Sequence, residues 1–145
     1  MSQTIKYKKA KSDSFLTLKW IHYVFWTLQV LAALAFLAAG GSKLLGVDRM
    51  VSLFASIDSM IGTGQWFRVL TGLIEVGGAV LLLIPGAAWI GATVLAVVMI
   101  GAILTHAFLI GGSFVPALVL LVITSAIAWF HRPREYTTIA VESGT

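Results

Sequence analysis

The chain has 145 residues, 59% of them hydrophobic and only 11% charged, with a mean hydropathy of +0.96 and a formal net charge of +4. Soluble domains carry about 25% charged residues, so the composition reads as an integral membrane protein of one compact domain, with no nucleic-acid partner. Cysteine is absent, which excludes disulfides, thiolate metal sites, cysteine-held iron–sulfur clusters and membrane oxidoreductase chemistry through a CxxC pair.

Residues 1–19 form a polar leader with Lys6, Lys8, Lys9, Lys11 and Lys19. The apolar run that follows, residues 20–41, is longer than the roughly 7–15 residues of a signal-peptide core and long enough to span a bilayer. It predicts a retained first transmembrane helix. Residues 42–65 are mixed in character. Within them Met50, Leu53, Phe54 and Ile57 recur at one helical face, behind Asp48 as the candidate N-cap and ahead of Gly62 and Gly64. This segment, about 48–61, is too short and polar to span, and predicts an amphipathic helix, either lying at the membrane surface or packed as a loop helix on the bundle.

A second span is expected over about residues 66–84, stopping at a Pro-Gly turn signal, a third over 88–110, stopping at "GGS", and a fourth over 114–130. Residues 131–145 read as an unstructured tail. The short links between spans 2, 3 and 4 force antiparallel neighbours. The expected fold is therefore all-α, an integral membrane four-helix antiparallel bundle with a short amphipathic surface helix between spans 1 and 2. The leader lysines, Arg132 and Arg134 outweigh Lys43, Arg49 and Arg68 in the first connection. Both termini are accordingly expected on the cytoplasmic side of the membrane, with the amphipathic segment facing outward. Trp20, Tyr23, Trp26, Trp66 and Trp129 fall at interfacial belt positions. Stripes of small residues, Ala32, Ala35 and Ala39, then Gly72, Gly77 and Gly78, then Ala88, Ala92 and Ala96, are the expected helix contacts.

Glu75 stands inside the otherwise lipid-soluble stretch "TGLIEVGGAVLLLIPG". A charge there costs roughly 2.5 to 3.5 kcal/mol on insertion scales, so a partner or a use is required. Arg68, Thr71 and Glu75 share one helical stripe, with Arg68 about 10 Å above Glu75. Lys43 arrives from the end of span 1. His106 falls about 7 Å from the level of Glu75 along the axis, and Thr124 lies near that level on span 4. Lys43, Arg68, Glu75, His106 and Thr124 thus share the outer half of the bundle, whereas the inner half offers His22, Thr27 and Gln29. This asymmetry predicts an outward-opening polar cavity, partly covered by residues 42–65, in which Glu75 points inward, within one water of His106, Lys43 or Arg68. A salt bridge that only fixes helix register is the plainer alternative. His106 as the single nearby histidine and Glu75 as the single nearby acid make a poor metal site, so none is expected. His22 and His106 lie near opposite faces, which disfavours a haem.

The elements "FLAAGGSKLLG", "GLIEVGGAVLLLIP" and "MIGAILTHAFLIGG", over about residues 25–131, resemble the DoxX family of small bacterial membrane proteins. The family signature falls on Gly40, Lys43, Glu75, Gly78 and His106. The resemblance implies a multi-pass protein of that layout in a bacterial inner (plasma) membrane. Some members are subunits of a thiosulfate:quinone oxidoreductase, others belong to redox-stress complexes, and distant relatives act in cargo handling or membrane-protein assembly. One expectation is a redox-linked subunit that binds a quinone or similar hydrophobic molecule and draws electrons from a protein partner. Glu75 and His106 would then be proton donors and acceptors, with Lys43 or Arg68 polarising a carbonyl. The other expectation is a non-enzymatic lipid- or amphiphile-binding protein or assembly factor, docking a partner through the Met50, Leu53, Phe54 and Ile57 face. A proton-coupled carrier lacks the broken helices and inverted repeats such carriers use. Ligand identity, enzymatic status and oligomeric state are not legible in these residues.

Overall fold

The computed structural model describes the backbone of residues 2–133 and the side chains of residues 20–133. The tail reading falls mainly on residues 134–145, Arg134 among them, which lie outside the described residues, as do the side chains of the lysine-rich leader. The first helix, α1, runs over Ser2–Leu44 without a break, so the leader and the first apolar run form one rod. No glycine or proline interrupts residues 2–39, and nothing in the sequence stops the helix before then. It ends in a Schellman turn. The Val47 amide donates to the Ser42 carbonyl at 3.1 Å and the Gly46 amide to that of Lys43 at 3.3 Å. Gly46 takes φ +67°, the left-handed conformation that such a turn requires and a Cβ resists.

The amphipathic helix α2 occupies Asp48–Ile61. Val47, not Asp48, is its N-cap residue, and no side chain caps it. Asp48 sits one position later, in the first turn, where its charge still complements the helix dipole. Helix α3, Gln65–Leu83, stops ahead of Pro85, whose ring disfavours helix in the preceding residue. Helix α4, Ala88–Thr105, continues into a π-helical turn, His106–Ile110, and α5 covers Val115–His131, with Pro116 in its first turn. No strand occurs among the described residues.

Helix α1 packs against α3, α3 against α4, and α4 against α5, while α5 closes the ring more lightly onto α1. Trp20–Leu44, Gln65–Leu83 and Ala88–Ile110 are long and apolar enough to cross a membrane. The apolar α5 has 17 residues, at the short end of the usual range for a span. The core joins Ala32, Ala33 and Phe36 of α1 to Leu82 of α3, Leu95 of α4 and Ile127 of α5. At one end Phe25 and Phe130 stack at 4.0 Å between ring centroids, tying α1 to α5. Trp20, Tyr23, Trp26, Trp66 and Trp129 are exposed on the perimeter, where interfacial anchors belong. This is a helical membrane bundle with an amphipathic helix laid across one end.

The small-residue stripes needed revision. On α1 the buried line is Gln29, Ala32, Ala33, Phe36 and Gly40, and Ala35 faces out. On α3 Gly72 and Gly78 pack, but Gly77 opens onto empty space. On α4 the closest approach is at Gly91. A Cβ there would lie 2.6 Å from the Gly78 carbonyl oxygen and 2.7 Å from the Leu82 amide nitrogen. That leaves the α3–α4 crossing no room for any side chain.

Candidate functional site

Two glycines set the geometry. A Cβ on Gly40 would lie 2.9 Å from the Gly72 carbonyl oxygen, and one on Gly72 would lie 3.1 Å from the Gly40 oxygen. Backbones of α1 and α3 therefore touch, which is the close approach that glycine pairs permit in membranes. One turn further along each helix stand Lys43 and Glu75. The Lys43 ammonium donates to Glu75 Oε2 at 2.5 Å, with side-chain exposures of 14% and 4%. The desolvation of both charges is offset by this charge-assisted contact.

Arg68 does not contact Glu75. Its Nη1 donates to the backbone carbonyl of Lys43, and its Nε to Gln65 Oε1 at 3.0 Å. The guanidinium thereby satisfies a carbonyl at the C-terminus of α1, where positive charge is favoured, and pins the residue that carries the ammonium. Thr71, between them on the stripe, returns its hydroxyl to the Phe67 and Arg68 carbonyls, each at 3.0 Å.

The pair borders a cavity of about 320 Å³. Its roof is the apolar face of α2, with Met50 and Leu53 half-buried and Phe54 and Ile57 buried. Its floor is Thr71 and Glu75 of α3, and its far wall is Val98, Ala102, Thr105 and His106 of α4 and the π turn. The α2 face that one expectation offered to a partner is folded inward: its apolar side chains find better cover against α3 and the π turn than in water.

The sequence-selected residues separate into three groups. Lys43, Glu75 and His106 line the cavity. Arg68 acts behind it, on the end of α1. Thr124 is buried elsewhere in the bundle and gives its hydroxyl to the Leu120 and Leu121 carbonyls at 2.8 and 3.1 Å, so it does not join the site. That back-bonding to the preceding turn is the usual fate of a threonine in a membrane helix. His106 makes no hydrogen bond to Glu75. Its Nδ1 lies 3.3 Å from the Gly111 carbonyl oxygen, across the π turn. Glu75 is instead held by Lys43.

Thr71 and Thr105 are lining residues outside the sequence-selected set, and the four α2 side chains are the part of residues 42–65 that covers the cavity. The signal for α2 was present. Only residues 62–64 separate it from α3, too short a link to let its apolar face turn away. Nothing in "THAFLIGG" announces a π turn.

At the other end, Thr27 bonds the Tyr23 carbonyl of its own helix at 2.9 Å. Gln29 is buried, and its Nε2 donates to the Leu82 carbonyl at the end of α3. His22 lies with Tyr23 and Trp26 along a shallow groove formed by α1 alone.

The DoxX-like family model matches residues 27–131, well over half of the chain, and the protein belongs to that family. No curated protein and no solved structure matches it.

Proposed function

We propose that this DoxX-like membrane protein is a redox-linked subunit whose cavity beneath α2 receives the ring of a quinone or a similar lipid-soluble molecule. The observation that carries the reading is the cavity itself. About 320 Å³ suits one ring with a short tail, and an apolar roof faces an ammonium, a carboxylate and an imidazole. Ligand sites are mostly apolar concavities with a few convergent polar groups. Lys43 has donor capacity beyond its bond to Glu75 and can polarise a carbonyl oxygen. Glu75 anchors that ammonium. His106 is the group suited to exchange a proton with the ligand. Electrons come from a protein partner or a bound donor, because cysteine is absent from the chain and no cluster of three metal-ligating side chains occurs among the described residues.

The lysine and arginine bias supports an orientation with both termini cytoplasmic and the α2 end facing outward. Reporter fusions at the C-terminus and in the loop after α2 test that orientation. Binding is tested by calorimetric titration of the detergent-solubilised protein with a short-chain benzoquinone. Saturable one-site binding that disappears in Leu53→Trp, which fills the cavity from its roof, is the expected result. An unchanged isotherm in Leu53→Trp would place the ligand elsewhere, and no binding at all would refute the reading.

A non-enzymatic role in holding an amphiphile draws on the same cavity. Its partner-docking version through Met50, Leu53, Phe54 and Ile57 loses its surface, because that face forms the roof.

A further inference from the structure

The cavity presents two kinds of polar group, and the hydrogen bond behind one of them fixes what it offers. The Gly111 carbonyl that faces His106 Nδ1 at 3.3 Å can only accept. Nδ1 is therefore the protonated nitrogen. In the neutral imidazole this leaves the lone pair on Nε2, on a ring that lines the cavity. The π turn makes the arrangement possible. His106 opens it and Gly111, at φ +71°, ends it, so the chain folds back far enough for a carbonyl five residues on to reach the ring. Single π turns of this kind recur at functional sites. The other polar groups have opposite character. Lys43 offers N–H donors, and one oxygen of the Glu75 carboxylate, Oε2, is engaged by that ammonium.

We propose that His106 is a hydroxyl-recognising acceptor, and that the cavity selects a one-ring ligand carrying a free phenolic O–H over the same ring without it. This rests on the ligand-binding reading above and adds the ligand's chemistry. The ring's hydroxyl donates to His106 Nε2, while Lys43 serves a ring oxygen that accepts. Among quinone-class ligands, the reduced, dihydroxy form then binds more tightly than the oxidised form, which has no O–H to give.

The test compares para-propylphenol with its methyl ether on the full chain in detergent, by calorimetry. The ether keeps the ring, the propyl chain and the oxygen and carries a methyl group in place of the donor hydrogen. One hydrogen bond to the imidazole acceptor corresponds to about tenfold in affinity. The phenol is expected to bind about tenfold more tightly, and His106→Phe is expected to erase the difference while still binding the ether. Equal affinities in the unaltered protein would overturn hydroxyl recognition and leave the cavity reading standing. A preference that survives His106→Phe would overturn the assignment to His106. No binding of either probe would remove both readings together. Nitrogen NMR of labelled histidine gives an answer that needs no variant to fold. A proton on His106 Nδ1 is expected, and a ring whose single proton sits on Nε2 would refute the proposal.

Discussion

Replacing Glu75 by Gln keeps the shape of the side chain and removes its charge. The Lys43 ammonium, 2.5 Å from Glu75 Oε2 and only 14% exposed, then has an amide where it had a carboxylate. Removing one partner of a buried ion pair costs roughly 3–5 kcal/mol. Lys43 keeps some access to solvent and has a flexible stem, so Glu75→Gln is expected at the low end, about 3 kcal/mol. Lys43→Met should cost at least as much, because the carboxylate it strands is the more buried partner, at 4% exposure. The double variant Lys43→Met with Glu75→Met strands neither charge and should recover most of the loss, since apolar replacement of a buried pair is often neutral or stabilising. Reversible unfolding in mixed micelles of increasing SDS content, followed by tryptophan fluorescence, measures all three. A Glu75→Gln loss under about 0.5 kcal/mol, the range of an ordinary surface change, would refute the reasoning. So would a double variant less stable than both single ones.

The helix contacts give a paired prediction. Gly91→Ala should destabilise by about 1–3 kcal/mol, because its Cβ meets backbone at 2.6 and 2.7 Å, whereas Gly77→Ala should be neutral or slightly stabilising in the same SDS titration. Arg68→Met should loosen the end of α1 by about 1–3 kcal/mol, as expected for losing charged hydrogen bonds, with faster amide exchange at residues 43–47. Gln29→Met should stay within about 1 kcal/mol of the original protein. The lost bond to Leu82 is offset by removal of Gln29 Oε1, a buried acceptor with no partner in the structure.

Membrane character and helical class were legible because they are one-dimensional properties. Hydropathy runs and the Pro-Gly and Gly-Gly stops between them are visible to anyone counting along the chain. Depth was legible for the same reason: a fixed rise per residue puts Lys43, Glu75 and His106 towards one end of the bundle. Rotation about each helix axis was harder. Thr124 is buried but spends its hydroxyl on its own helix. Ala35 belongs to a plausible stripe and faces outward, while Ala33, one position outside that stripe, is buried. Small residues are frequent throughout a membrane helix, so their spacing alone does not choose a face. Gly91 escaped attention because its role is a contact with backbone atoms of α3, which no pattern within α4 reveals.

The cavity, the ion pair and the roof form one mechanical unit, which explains why so few residues specify it. Helix α1 delivers Lys43 only because Gly40 and Gly72 let the α1 and α3 backbones touch. The same end of α1 turns at Gly46 directly into α2, so whatever fixes Lys43 also fixes where the roof begins. Arg68 strengthens that link by bonding the Lys43 carbonyl from α3. The far end of the roof is held as well, because the Asp58 carboxylate accepts the Gly64 amide at the entry to α3. Helix α2 is thus held at both ends, through the end of α1 at its start and through Gly64 at its finish, and its apolar face shares the cavity with the π turn. A roof held in this way keeps its apolar face against the cavity whether or not a ligand is present. It spends little ordering entropy on binding, and selectivity passes to the few polar atoms below it, Lys43 with its carboxylate and His106 with its hydrogen-bonded ring.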